Sequence, residues 1–173
     1  MQETSLGNME APQATQGLLT AVVDRLVYYE VSIQPPLSET AREAFRSRVA
    51  DTLSYALPQA YLDLLAVTDG LDWNGAVLYA SETRLRDDDE LDIQGLLEAN
   101  IQLRLAYTPD KDFVYFAESG MDAYRHNLTT DTFEISDRVA GDSVFETFDT
   151  AEALFQQLLR NMLHVGDDDG ADF

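Results

Sequence analysis

Cysteine is absent from this chain, lysine occurs once, tryptophan once and histidine twice. Without cysteine there are no disulfides, no thiol catalysis and no thiolate metal sites. With Lys111 as the single lysine and ten arginines scattered among acids, the clustered positive charge that holds a phosphate backbone is missing, which argues against nucleic-acid binding. His126 and His164 lie far apart in sequence and read as surface structural residues. No phosphate-cradling glycine loop and no nucleophile-elbow motif occurs. Apolar runs stay well short of the ~20 residues that span a bilayer, and Met1 to Gly17 is polar with no Lys or Arg, so neither a membrane segment nor an export signal is expected. The expected location is the cytoplasm.

What is abundant is negative charge. Eleven basic residues face 32 acidic ones in 173 residues, a net charge of −21. Such a surface repels nucleic acid and anionic membranes and steers basic partners, although the same charge also serves plain solubility. The acidic runs Asp87-Asp88-Asp89-Glu90 and Asp167-Asp168-Asp169 lack the alternating ligand spacing of a calcium loop and read as solvated loops, so no metal and no cofactor is expected. Carboxylates are too numerous for their adjacency to mark a catalytic pair. At 45% hydrophobic residues, a chain of this length forms one packed domain.

Periodicity divides the chain. Residues 1–15 read as a disordered lead-in, residues 16–163 as one α/β (α+β) domain, and 164–173 as a mobile acidic tail. Leu19, Val22, Val23, Leu26 and Ile33 mark a helix running to Pro35-Pro36. Ser38 is a candidate N-cap for a second helix with the stripe Ala41, Phe45, Val49 and Leu53. A third helix starts with Pro58 at its first position and carries Tyr61, Leu64, Leu65 and Thr68 to a stop at Asp69-Gly70. Asn74-Gly75 is a turn before a strand over 76–80. A helix is expected over 91–103 and a turn over 109–112. Strands are expected over 113–117, 121–126 and 132–136, with Ser119-Gly120 turning the chain, which predicts a mostly antiparallel sheet. A final helix follows, with Asp149 and Glu152 as its capping pair and Leu154, Phe155, Leu158, Leu159, Met162 and Leu163 on its apolar face.

Trp73, the sole tryptophan, lies beside Asp72 in a predicted loop. It is either an aromatic anchor for a partner or a lid folded back on the core. Asp72, Trp73 and the run Asp87, Asp88, Asp89 and Glu90 are therefore the candidate partner-binding residues, since they combine an aromatic side chain with local negative charge.

Leu57-Pro58, Tyr61, Leu65, Asp69-Gly70, Asn74-Gly75 and Leu78-Tyr79 resemble, in order and spacing, the signature of the SUKH superfamily. Residues 116–124, including Glu118-Ser119-Gly120, look like that family's central hairpin, with Ala117 in place of a common glycine. Residues 145–150 resemble its lead into the last helix. The likeness covers 57–159, and the two N-terminal helices are extra to it. This superfamily holds Smi/Knr-type fungal cell-wall-synthesis regulators and bacterial toxin-immunity proteins. The resemblance implies an antiparallel sheet flanked by helices and a binding role without catalysis. The matched residues have structural explanations of their own, since Pro58 starts a helix, Tyr61 and Leu65 pack, and Gly70 and Gly75 permit turns. Pro58, Tyr61, Asp69, Gly70, Asn74, Gly75 and Gly120 are therefore read as defining the fold and not as the binding site. The leading functional expectation is an immunity-type protein that neutralises a cognate toxin through its acidic surface. A regulatory scaffold is the alternative, and a carboxylate-based hydrolase is a more distant one.

Overall fold

Residues 7–85, 91–106 and 111–164 are described by a computed structural model. Among them the chain forms helices α1 (Gly7–Tyr28), α2 (Glu39–Leu53) and α3 (Gln59–Leu65), then the short strands β1 (Leu71–Trp73), β2 (Ala76–Leu78), β3 (Arg84–Leu85) and β4 (Leu91–Ile93). Helix α4 (Leu96–Ala106) leads to the strands β5 (Phe113–Glu118), β6 (Asp122–Asn127), β7 (Thr132–Asp137) and β8 (Val144–Phe148), and α5 (Ala151–His164) closes the fold. The main sheet has the order β1-β2-β5-β6-β7-β8 with every neighbour antiparallel, and β3 pairs with β4 separately. The protein is an α+β fold.

One face of this sheet is covered. Val114 and Phe116 of β5, Tyr124 of β6, and Phe133 and Ile135 of β7 point to it and are buried with Leu154, Phe155, Leu158, Leu159 and Met162 of α5. The Tyr61, Phe116 and Phe155 rings meet at the centre, with centroids 5.3–5.9 Å apart. Helix α1 lies along α5, where Gln156 Nε2 donates to Thr15 Oγ1 at 3.1 Å.

Local sequence accounts for several boundaries. Ser38 caps α2, its Oγ accepting from Ala41 N–H at 3.2 Å. Asn74 (φ 52°) and Gly75 (φ 76°) both adopt the left-handed region that a two-residue hairpin turn requires. Asn74 Nδ2 also donates to Met162 O at 2.6 Å, which ties that hairpin to the end of α5. Gly70 (φ 93°) has Ala80 Cβ only 3.1 Å from where its own Cβ would lie. The buried Asp69 carboxylate accepts from Ser81 N–H and Ser81 Oγ, both at 2.8 Å, and from Arg84, so it pins residues 81–84 against the exit of α3. Tyr61, wholly buried, donates its hydroxyl to Tyr79 O at 2.6 Å.

The structure departs from expectation in several places. Helix α1 begins at Gly7, inside the expected lead-in 1–15, because Thr15 is already buried against α5. It ends at Tyr28, well before Pro35: Glu30 turns left-handed (φ 56°) while Val31 N–H reaches back to Leu26 O at 2.9 Å and Glu30 N–H to Val27 O at 3.1 Å. Pro58 is the N-cap residue of α3 and not its first helical residue. Residues 91–93 are strand, not helix. Gly95 lies too close to Thr83 N (2.6 Å from an added Cβ) for any other residue, and α4 starts after it. Residues 71–73 are a strand and not a loop, with buried Leu71 and half-buried Trp73 on either side of exposed Asp72. The cap of α5 is Thr150, whose Oγ1 accepts from Ala153 N–H at 3.2 Å, and not Asp149. The turn at 119–120 is held by Ser119, whose Oγ accepts from Asp122 N–H at 3.0 Å, while Gly120 is exposed with open space around it. Residues 109–110 of the turn expected over 109–112, the acidic run 87–90 and all of the expected tail 164–173 except His164 lie outside the described residues, and His164 is the last residue of α5 and not part of a tail.

Docking of α5 makes a direct prediction. Leu158 is fully buried against the sheet. Replacing it with alanine should cost ~2–5 kcal/mol in equilibrium denaturation, and a loss under about 0.5 kcal/mol would mean that α5 does not dock this way.

Candidate functional site

Alternation along β5–β8 sends every second side chain to the face opposite α5. There Phe113, Tyr115 and Glu118 of β5, Ala123, Arg125 and Asn127 of β6, Glu134 and Ser136 of β7, and Val144 of β8 form a floor. A register shift at Phe116 lets Phe116 and Ala117 both face the core, so that Glu118 returns to the floor. One wall is α4, through Ala99, Leu103 and Ala106. The other is the turn 138–142. Between them lies an open groove of roughly 810 Å³.

Helix α4 is held at the groove by one buried side chain. Asn100 Oδ1 accepts from Tyr115 N–H at 2.8 Å, and its Nδ2 donates to Tyr115 O at 2.9 Å. The amide thus replaces a neighbouring strand where β2 has ended, satisfying both backbone groups of Tyr115.

The floor carries a buried ion pair. Arg125 Nε donates to Glu134 Oε2 at 3.0 Å, with the side chains 3% and 7% exposed. Asn127 Nδ2 supplies Glu134 Oε1 with a second donor at 2.9 Å. The Arg125 guanidinium lies 3.7 Å from the centroid of the Phe113 ring. Towards the other end, Tyr79 donates to Glu118 at 3.1 Å, and Glu118 pairs with Arg138 at 3.2 Å. Burial, and then the Glu118 charge, push the Tyr79 hydroxyl far above its ordinary range, so it stays protonated as a donor. The floor charges therefore cancel in pairs.

The rim differs. Asp137 accepts from Val139 N–H at 2.7 Å and Ala140 N–H at 2.9 Å, which shapes the turn that ends at left-handed Gly141. The Ala140 and Val139 N–H groups hold the Asp137 carboxyl below its usual range. Asp142 is exposed beside it, and the same turn exposes Val139 (88%).

The residues expected to bind a partner lie elsewhere. Asp72 and Trp73 belong to β1, at the far edge of the sheet from β8. Asp72 is exposed. Trp73 is half-buried and packs on the exposed ring of Tyr29, with centroids 5.4 Å apart. Its indole nitrogen is buried without a hydrogen-bond partner. Asp87, Asp88, Asp89 and Glu90 lie outside the described residues. His126 is on the core side, stacked on Phe133 at 4.1 Å and hydrogen-bonded to Tyr55 (2.7 Å) and Asp131 (2.9 Å); His164 ends α5. Sequence reading missed the groove. Its signal was available in the β6–β7 hairpin register, which sets Arg125 opposite Glu134. Among the described residues no group of three or more His, Asp or Glu residues is arranged to hold a metal ion, and no helix is long and apolar enough to cross a membrane.

No protein-family model matches the sequence, and a comparison with curated proteins gives no match either.

Two outcomes follow from this geometry. Glu134→Ala strands the buried Arg125 guanidinium and should cost about 3–5 kcal/mol in urea denaturation, whereas joint replacement by Arg125→Met and Glu134→Leu should cost clearly less; equal losses would mean that the pair is not desolvated. Asp137 has a depressed pKa, so its clamp on residues 139–140 is fully present above the ordinary aspartate value of ~3.9 and is released only as pH falls through the lower, folded-state value. Amide shifts of Val139 and Ala140 followed by NMR should titrate below that value, and a midpoint above it would contradict the clamp.

Proposed function

We propose that the chain is a non-catalytic protein-binding module of the immunity type, which engages a cognate toxin or similar basic protein through an acidic surface. The observation that carries this reading is the open groove on the outer face of the sheet. Its floor charges are already spent on one another, through Arg125 with Glu134 and Glu118 with Arg138. Its turn wall joins exposed Val139 to Asp137 and Asp142, beside apolar Val144 of the floor. A floor of mutually satisfied charges favours contact over proton transfer, since a catalytic acid or base needs a free, tuned group. An apolar patch with an acidic rim suits a protein partner of opposite charge.

The resemblance of residues 57–159 to the SUKH superfamily supports the immunity role and the cytoplasmic location that goes with it. Nuclease toxins carry cationic clefts, and a chain of net charge −21 is suited to fill one by standing in for phosphate.

Co-expression with candidate toxins tests the role: rescue of growth supports it, and a partner that binds with no rescue favours a regulatory scaffold. Kinetics with the purified partner test the electrostatics. The association rate should fall as the Debye length shrinks from ~10 Å at 0.1 M salt to ~3 Å at 1 M, while the dissociation rate changes less. A salt-independent association rate would return the charge to plain solubility.

A further inference from the structure

Strand β8 ends the main sheet: among the described residues it pairs with β7 on one side and with no strand on the other. Four of its five residues are exposed. Its backbone orientation follows from the register. Asp137 N–H donates to Ser143 O at 2.8 Å, next to the facing pair Ser136 and Val144. Bonded and non-bonded pairs alternate in an antiparallel ladder, so Val144 turns its own N–H and C=O to the open side. The register then shifts at Phe145, where Phe145 and Glu146 together face Ile135. Beyond the shift, Thr147 opposite Glu134 is the next outward-directed residue.

Such an edge is a template for another strand, and three features select the occupant. Residues 142–152 contain Asp142, Glu146, Asp149 and Glu152 and no Lys or Arg. A second copy of the chain, paired antiparallel about the middle of β8, would set Glu146 against Glu146 and bring two chains of net charge −21 together; like charges directly opposite destabilise a sheet. The two faces of the edge also differ. Glu146 shares the α5 face with Ile135 and Tyr124, whereas Val144 lies on the groove face.

We propose that β8 is a docking edge for an extended segment of a basic partner protein. The segment adds as a seventh strand, with lysine or arginine side chains beside Glu146 alternating with apolar side chains that extend the groove past Val144. The proposal rests on the reading of the chain as a binder of basic protein, and it assigns the contact to one strand and its backbone.

The test uses the full chain and short capped peptides alternating valine and lysine. One peptide is unmodified, one is N-methylated at alternate amides, and one has glutamate for lysine. Fluorescence anisotropy should show salt-sensitive binding of the unmodified peptide alone, and hydrogen exchange should show new protection of the Val144 and Thr147 amides. Thr147→Pro removes an outward N–H on an edge strand, where proline is tolerated. It should leave the melting temperature near wild type and weaken binding about tenfold or more, as should Glu146→Lys. Equal binding of the N-methylated peptide would show adsorption by charge without strand addition, overturning this proposal while leaving the acidic-surface reading standing. Failure of every peptide to bind would also overturn it, and a salt-sensitive association with an intact basic partner would again separate the two. Sedimentation as a dimer with the same amides protected in the free chain would assign the edge to a second copy and overturn it as well.

Discussion

The contact of Tyr61, Phe116 and Phe155 at the middle of the molecule governs the rest of the structure. It fixes which face of β5 looks inward. Once Phe116 is committed to α3 and α5, the period-two rule commits the facing residues of β6 and β7, Tyr124, Phe133 and Ile135, to the same side. A slip of one residue would bury Arg125 and Glu134 under α5 and expose the aromatic residues. The apolar surface involved makes that register strongly preferred.

The outer face is the other half of the same constraint. Tyr115, Arg125 and Glu134 have to face away from the core, yet α4 and the turn 138–142 stand close enough to exclude most water from them. Their charges are tolerated because they are paired: Arg125 meets Glu134 and the Phe113 ring, and Asn127 completes the carboxylate. Burial of one sheet face thus leads to a second face that is open, shaped and internally neutral. The negative charge of the chain is left for rims and loops, and this is the basis for placing the contact surface at the groove and at β8.

Much of this was legible in the sequence wherever the cause is local. Ser38 announces α2 through its own hydroxyl, Asn74-Gly75 announces the first hairpin through backbone conformations that few residues adopt, and the α5 stripe announces its buried face. The antiparallel sheet was expected from the short alternating segments and is what forms. The misses have long-range causes. Gly95 looks like a weak spot in a helix until Thr83 is seen packed against it, and nothing near residue 95 signals that neighbour. Thr15 looks like part of a polar lead-in until Gln156 reaches it from α5. The run 144–148, between a turn and a helix, gives little sign that β7 will recruit it. Trp73 drew attention as an aromatic residue beside acids, but its packing on Tyr29 joins elements that are distant in sequence. The groove itself is assembled from α4, four strands and a turn, so no single stretch of sequence contains it.

The central claim is that the chain recognises a basic protein along the groove and the β8 edge. The most direct measurement is hydrogen exchange on the chain, free and then in complex with the protein that copurifies with it. The account predicts added protection at residues 139–148, continuous with the outer face of β6 and β7 and absent from β1. Protection confined to Asp72 and Trp73, or to the exposed side of α1, with β8 exchanging as in the free chain, would contradict it.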